Sequence, residues 1–271
     1  MRLLNVEKFQ LEEYFEPNVP PYVILSHTWD TDEVLFRDIQ PAFDGTFESL
    51  AWSNKKGARK VFDSAVIAAK KGYKYIWIDT CCIDKSSSSE LSEAINSMFN
   101  WYIKANICFE NHDIKDNDRQ SYSETLKESR WFTRGWTLQE LIAPHEVQFY
   151  DRNWHFFGTR VSLSETLQTI TNIAIEVLVF GTLGIQERAQ RLPRFLKRYS
   201  VWEKMVWAAA RETSRVEDTA YSLLGTFDIN MPLLYGEGPR AFNRLLKKIM
   251  KQTDDHSVLF FRRHKIHTLG S

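Results

Sequence analysis

Two short apolar runs, Tyr22–Leu25 and Tyr75–Ile78, each stop at a polar turn, and a helical repeat lies between them. Runs this short, rich in β-branched and aromatic residues, are predicted as strands buried on both faces. The first follows two prolines and ends in Ser26-His27-Thr28-Trp29; the second ends in Asp79-Thr80-Cys81-Cys82. Between them Ala58, Val61, Phe62, Ala65, Val66 and Ala69 recur at helical spacing, and Gly72 sits where a helix C-cap belongs. Strand, helix, strand in this order predicts a parallel pair joined by a right-handed crossover.

The alternation continues. Ser87 and Glu90 fit a capping box. Leu91, Ala94, Ile95, Met98, Phe99 and Tyr102 then form an amphipathic stripe. Ile107–Phe109 is a weaker strand signal, followed by a polar stretch over 110–128 expected as a surface loop merging into a short helix. Residues 41–57 are also expected as loop. SRWFTRGWTLQELIAP predicts a turn at Gly135 and a helix stopped by Pro144, before a further strand at Val147–Tyr150. The order predicts an α/β layered domain with a mainly parallel sheet. Beyond about residue 160 the pattern is helical, over 164–178, 201–211, 217–224 and 239–251. The expected organisation is therefore an α/β domain over 1–160 and a helical extension over 161–271 packed on it.

Charge and cysteine content narrow the setting. Lys plus Arg equals Asp plus Glu at 35 each, so no global field draws the chain to nucleic acid or membrane. The basic residues between Arg191 and Arg198 read as a solvated helix face. Three cysteines, two of them adjacent, do not make a disulfide framework. MRLLNVEKFQ lacks the apolar core of a secretion signal, and the apolar stretch Ile173–Ile185 is too short to span a bilayer. The expected compartment is the reducing cytoplasm. Without HExxH or CxxC, and with the seven His scattered, neither a metal nor a cofactor is expected.

Four strings carry a family likeness: LSHTW at 25–29, WIDTCCIDKSS at 77–87, RWFTRGWTLQEL at 130–141, and EDTAYSLLGTFDINMPLLYGEG at 217–238. In order and spacing they resemble the successive blocks of the fungal heterokaryon-incompatibility (HET) domain. That domain is in turn similar to Toll/interleukin-receptor (TIR) domains. The resemblance implies a TIR-like, flavodoxin-like parallel sheet flanked by helices, and a role in programmed cell death, self/non-self recognition and innate immunity. It also implies self-association and a regulatory receptor-type domain or protein. Many TIR domains cleave NAD at its nicotinamide glycosidic bond with a Glu on a Trp-containing helix. The matching positions here are Ser26 to Trp29 for the loop over the nucleotide, and Trp136 with Glu140 for that helix. One departure stands out: relatives carry a longer apolar strand followed by Leu-Ser-Asp where this chain has CFENHD from Cys108, which predicts a shortened third strand.

The residues themselves allow bland readings beside the sharp ones. Ligands of open α/β sheets bind beyond the carboxyl ends of the strands, where both Ser26-His27 and the Asp79–Asp84 segment begin; polar residues also end strands simply because chains must turn. Glu140 follows Trp136 by four residues, so the two share a helical face. A lone carboxylate suffices for NAD, whose nicotinamide is already a cationic leaving group. His27 fits either a phosphate or ribose contact or a structural role. Trp29 and Trp136 fit either a sandwich around a planar ring or the core. Asp79 either meets a hydroxyl or caps the turn, and Arg134 either holds a diphosphate or pairs at the surface. Cys82 with His27 as base is a rival nucleophile, lacking a third orienting group. GEGP at 236–239 mimics a phosphate loop, although Pro239 at the start of a helix explains it as well. Arg211, Arg215, Glu217 and Asp218 are expected to form a salt-bridged helix entrance. Two function classes remain open: an NAD glycohydrolase, and a non-catalytic module that signals by homotypic assembly.

Overall fold

Val23, Ile24 and Leu25 are wholly or almost wholly buried, because strand β3 (Val23–Ser26) runs through the middle of the sheet. The computed structural model describes residues 1–39, 43–111, 122–180 and 185–258. Among these, seven strands form one sheet. The others are β1 (Arg2–Asn5), β2 (Leu11–Glu13), β4 (Tyr75–Ile78), β5 (Ile107–Asn111), β6 (Val147–Tyr150) and β7 (Phe156–Thr159). Their order is β2-β1-β4-β3-β5-β6-β7. The central four are parallel, with Val23 opposite both Ile76 and Ile107, and Cys108 opposite Val147. The outer pairings are antiparallel. Parallel strands in the centre explain the unbroken apolar runs, since both faces are covered.

Helix α1 (Ala58–Lys70) crosses from β3 to β4, and Gly72 beyond it takes φ +85°, the left-handed conformation expected there. A single turn, α2 (Asp79–Cys82), follows β4, and α3 (Ser88–Lys104) returns the chain to the other side of β3. The chain thus leaves β3 toward one side and re-enters at β5 on the other, which opens a crevice at the carboxyl end of β3. After α4 (Tyr122–Lys127), helix α5 (Thr137–Ile142) lies over that crevice.

Eleven helices occur among the described residues. Those after β7 are α6 (Ser164–Thr171), α7 (Ile175–Leu178), α8 (Ile185–Leu196), α9 (Val201–Ala209), α10 (Asp218–Tyr221) and α11 (Arg240–Gln252). Leu192, Met205, Trp207, Leu224 and Leu245 belong to the same hydrophobic cluster as Ile24, Trp77 and Phe109. Gly225 allows the closest approach: a Cβ there would meet Phe99 of α3 at 2.2 Å.

Several expectations are corrected. The third strand is not shortened; β5 is five residues long and lies between β3 and β6. Its polar end is inside the sheet, with Glu110 fully buried opposite Ser26. The β1–β2 hairpin and β7 were not anticipated. The helix expected over 164–178 is two, because Asn172 turns left-handed at φ 57°. The basic stretch from Arg191 is, as expected, an exposed face at the end of α8, whose other face buries Arg188, Leu192 and Leu196. The capping box at α3 is half formed. Ser87 accepts from the Glu90 amide at 3.3 Å, while the Glu90 carboxylate takes the Asp84 amide and Arg2 instead. The loop expected over 110–128 is Asn111 at the end of β5 and α4, with 112–121 outside the described residues. No described helix is long and apolar enough to cross a membrane.

Candidate functional site

The site begins with Ser26, the last residue of β3. Its hydroxyl accepts a hydrogen bond from the Trp131 indole N–H at 2.7 Å and donates to the Glu140 carboxyl. Tyr102, the last residue of the α3 stripe, lies near the same carboxyl. Glu140 therefore reaches the carboxyl end of the sheet from α5 and is held there by Ser26. It is 8% exposed. Burial pushes its pKa up to about 8; the Ser26 bond opposes this, Asp79 and Glu110 add to it, and Arg211 lowers it.

Glu140 faces a cavity of about 270 Å³. The floor is apolar, built from Ile83 and the α3 residues Leu91, Ile95 and Met98. Two tryptophans flank the opening, and an aspartate is set against each. The Trp29 N–H donates to Asp79 at 2.9 Å, and Trp136 hydrogen-bonds Asp218. Lys85 places its ammonium 3.4 Å from the centre of the Trp29 ring, a cation–π distance, and 3.9 Å from the Asp79 carboxylate. Burial lowers the pKa of Lys85 and raises that of Asp79. On the other side Tyr235 donates to Asp218 at 2.9 Å, and Arg215 stacks on the Tyr235 ring at 4.5 Å.

His27 lines the cavity with its side chain 1% exposed and neither ring nitrogen hydrogen-bonded. Glu33 and Asp79 approach Nε2 at 3.9 and 4.0 Å. Burial, with Lys60 and Lys85 nearby, depresses its pKa far below the usual imidazole value, so it is neutral. Arg134 lines the cavity as well. Its backbone and that of Gly135 are tied to Glu212: the Gly135 amide donates to the Glu212 carbonyl at 2.8 Å.

Of the residues singled out from sequence, His27, Trp29, Asp79, Arg134, Trp136 and Glu140 line this one cavity, and Ser26 holds Glu140 from behind. Cys82 and Asp84 do not line it. Cys82 is 2% exposed, and its sulfur accepts from the Ile78 amide at 3.3 Å, so it packs beneath the turn instead of standing beside His27. Asp84 folds onto Ser86, accepting from its amide at 3.0 Å and its hydroxyl at 2.6 Å. Lys85, Tyr102 and Tyr235 join the cavity without having been singled out as site residues, although each lies in a string or stripe already noted, and Arg215 and Asp218 line it instead of only bracing a helix entrance.

The expected salt-bridged helix entrance is a different structure. Glu217 accepts from the amides of Gly236 and Gly238 at 2.8 and 2.9 Å, and those glycines hold φ +100° and +58°. The GEG segment is thus an amide nest filled by the chain's own carboxylate. Among the described residues, no three His, Cys, Asp or Glu side chains gather as metal ligands do.

Residues 22–122 match the family described as Heterokaryon incompatibility protein (HET). Over 242 residues, 86% of the chain, the sequence is 44% identical to the vegetative incompatibility protein HET-E-1 of Podospora anserina. The chain is a HET-domain protein. It spans 16% of that relative's length. No solved structure matches it. The matched HET segment contains Ser26, His27, Trp29, Asp79 and Lys85, whereas Arg134, Trp136, Glu140, Asp218 and Tyr235 lie beyond it. The cavity is therefore closed by residues outside the segment that defines the family.

Proposed function

We propose that this chain is the signalling domain of a fungal incompatibility protein and that it triggers cell death by cleaving the nicotinamide glycosidic bond of NAD. The observation that carries this reading is one buried carboxyl, Glu140, held by Ser26 in the wall of a cavity that two tryptophans also line. Indole faces suit a flat cationic ring. Arg134 and Arg215 suit the diphosphate behind it. The incompatibility role rests on the HET match and on the 44% identity to a vegetative incompatibility protein. The likeness to TIR domains supports the choice of NAD.

The carbon–nitrogen bond breaks with its electron pair going to the nicotinamide ring, which leaves neutral. Positive charge develops on the ribose and is stabilised by the Glu140 carboxylate, and water then adds to the ribose and releases a proton. With a pKa of about 8 in the empty cavity, roughly a tenth of Glu140 is ionised at pH 7. A pyridinium ring entering beside it favours the charged form, so the substrate ionises the group that acts on it. On this reading His27, neutral and lining the cavity with both ring nitrogens unpartnered, bonds a ribose hydroxyl.

The test is free nicotinamide measured from concentrated protein incubated with NAD, beside Glu140→Gln. Release by the wild type and its loss in the variant support the reading; no release from crowded, folded protein removes it. A second reading, homotypic assembly without catalysis, draws on Val216 and Leu234. They are 57% and 52% exposed, and each is next in sequence to a cavity residue. On that reading Glu140→Gln signals normally, and charged substitutions at Val216 and Leu234 abolish signalling.

A further inference from the structure

Helix α5 is six residues long and stops at Pro144, which has no N–H to donate. A helix end of this kind leaves its last carbonyls without partners. Here they are buried, and two arginine side chains reach them. Arg188 donates from Nε to the Ala143 carbonyl at 2.9 Å and from Nη2 to that of Ile142 at 2.7 Å. Arg160 donates to the carbonyls of Leu141 at 2.7 Å and His145 at 3.1 Å. Both side chains are fully buried, at 0% and 1% exposure.

The other end of α5 is held in the same way. Arg211 donates from Nη1 to the Thr137 hydroxyl at 2.7 Å and the Arg134 carbonyl at 3.0 Å, and from Nε to the Trp207 carbonyl at 3.1 Å. Its Nη2 has no hydrogen-bond partner. Among the described residues none of the three arginines has a carboxylate in salt-bridge range. Burying a guanidinium without a counter-ion is costly, and a helix can be ended by a glycine or by water at far lower cost. Two such cations on one six-residue helix, with the half-buried Arg211 as a third, need a further reason, and that helix carries Glu140.

The geometry points to Arg160, Arg188 and Arg211 as a clamp that fixes the Glu140 helix against the sheet, with Arg211 setting its guanidinium at the N-terminal end of that helix. They are positioning residues, and their catalytic meaning rests on the proposed NAD reaction. The groups that act on Glu140 are Ser26 from β3, Tyr102 from α3, Asp79 after β4, Cys108 and Glu110 from β5, and Arg211 after α9, with His27, Lys85, Arg134, Arg215 and Asp218 lining the same cavity. Ser26 and Arg211 favour the ionised carboxyl, whereas burial, Asp79 and Glu110 oppose it.

The experiment follows the Glu140 carboxyl by carbon NMR across pH, together with amide exchange over 138–143, in the full chain. Arg211→Met keeps the aliphatic stem and removes the charge, so the Glu140 midpoint is expected to rise by about half a pH unit or more. Arg188→Lys keeps the charge but not the two-pronged geometry, so exchange in α5 is expected to quicken about ten-fold while the rest of the sheet is unchanged. Nicotinamide release in Arg188→Lys should fall about ten-fold or more in kcat, with KM within about three-fold. Arg211→Gln replaces the methionine variant if that one does not fold. An unmoved Glu140 midpoint, or unchanged α5 exchange, overturns the clamp. If the wild type releases no nicotinamide, the NAD reading fails, and the titration and exchange still decide the clamp.

Discussion

Ser26 and Glu140 are 114 positions apart in sequence and share one hydrogen bond at the wall of the cavity. The serine also receives the Trp131 indole N–H, so a single hydroxyl joins β3, the segment before α5, and α5 itself. Ser26→Ala leaves that buried N–H without an acceptor, at a cost of about 1–3 kcal/mol. It also removes a hydrogen bond that favours the Glu140 anion, so the carboxyl titrates higher still. Lower unfolding midpoints in urea, with kcat/KM for nicotinamide release reduced about ten- to hundred-fold, are the expected outcome.

Glu140→Gln removes the anion and keeps the shape. The chemical step is expected to slow by about two to four orders of magnitude, the scale of one preorganised electrostatic partner. Single-turnover nicotinamide release checks this, with circular dichroism confirming that the fold is retained.

The same substitution has an opposite effect on stability at high pH. Folding raises the Glu140 pKa from 4.5 to about 8, so the folded state holds a proton that the unfolded state gives up. Its contribution is full below pH 4.5 and is lost as pH rises through about 8. The wild type should therefore lose stability over this window relative to Glu140→Gln. Urea denaturation of both proteins at pH 5 and pH 9 measures the difference, which should be larger at pH 9 and favour the variant. Parallel pH dependence in the two proteins would refute the buried-acid assignment.

The pH dependence of catalysis runs the other way. The anion is the active form, so kcat/KM should climb with pH along a limb centred near 8 and level off above it. The corresponding limb of kcat should lie lower, because bound pyridinium favours ionisation. A flat profile between pH 6 and about 9 would be inconsistent with Glu140 as the reacting carboxylate.

Gly225 tests how the later helices meet the sheet. A methyl there would overlap Phe99 Cβ and Cγ, atoms that cannot swing aside as a side-chain tip would. Gly225→Ala is expected to cost about 1–3 kcal/mol by overpacking, read as a lowered melting temperature in calorimetry.

The parts of the fold legible in the sequence were those with an unbroken physical signature. Ile76, Trp77 and Ile78 are apolar in succession because both faces of a central parallel strand are covered, and α1 and α3 show their buried faces at helical spacing. The edges were not legible. β2 is three residues, two of them glutamates, and β7 pairs with one neighbour only, so neither needs a continuous apolar run. Glu110 disguised β5, because a carboxyl inside a sheet breaks the pattern that identifies a strand. Arg188 disguised α8: surrounded by Gln, Glu and Arg it reads as solvated, whereas backbone carbonyls of α5 take it into the core. In the site, His27 could be named because it follows the end of a buried strand, and Trp136 with Glu140 through the family likeness. Tyr102 could not, since a phenol on an amphipathic stripe has the spacing of core whether its hydroxyl is used or not.

The Lys85 ammonium already lies on the face of Trp29. A flat cationic ring that takes that face must displace it into solvent, so one positive charge is exchanged for another and the charge against Asp79 hardly changes. Long-range attraction then contributes little to the ring's capture. Affinity at this wall should vary only weakly with ionic strength, and ring shape, more than charge, decides which cation displaces the lysine.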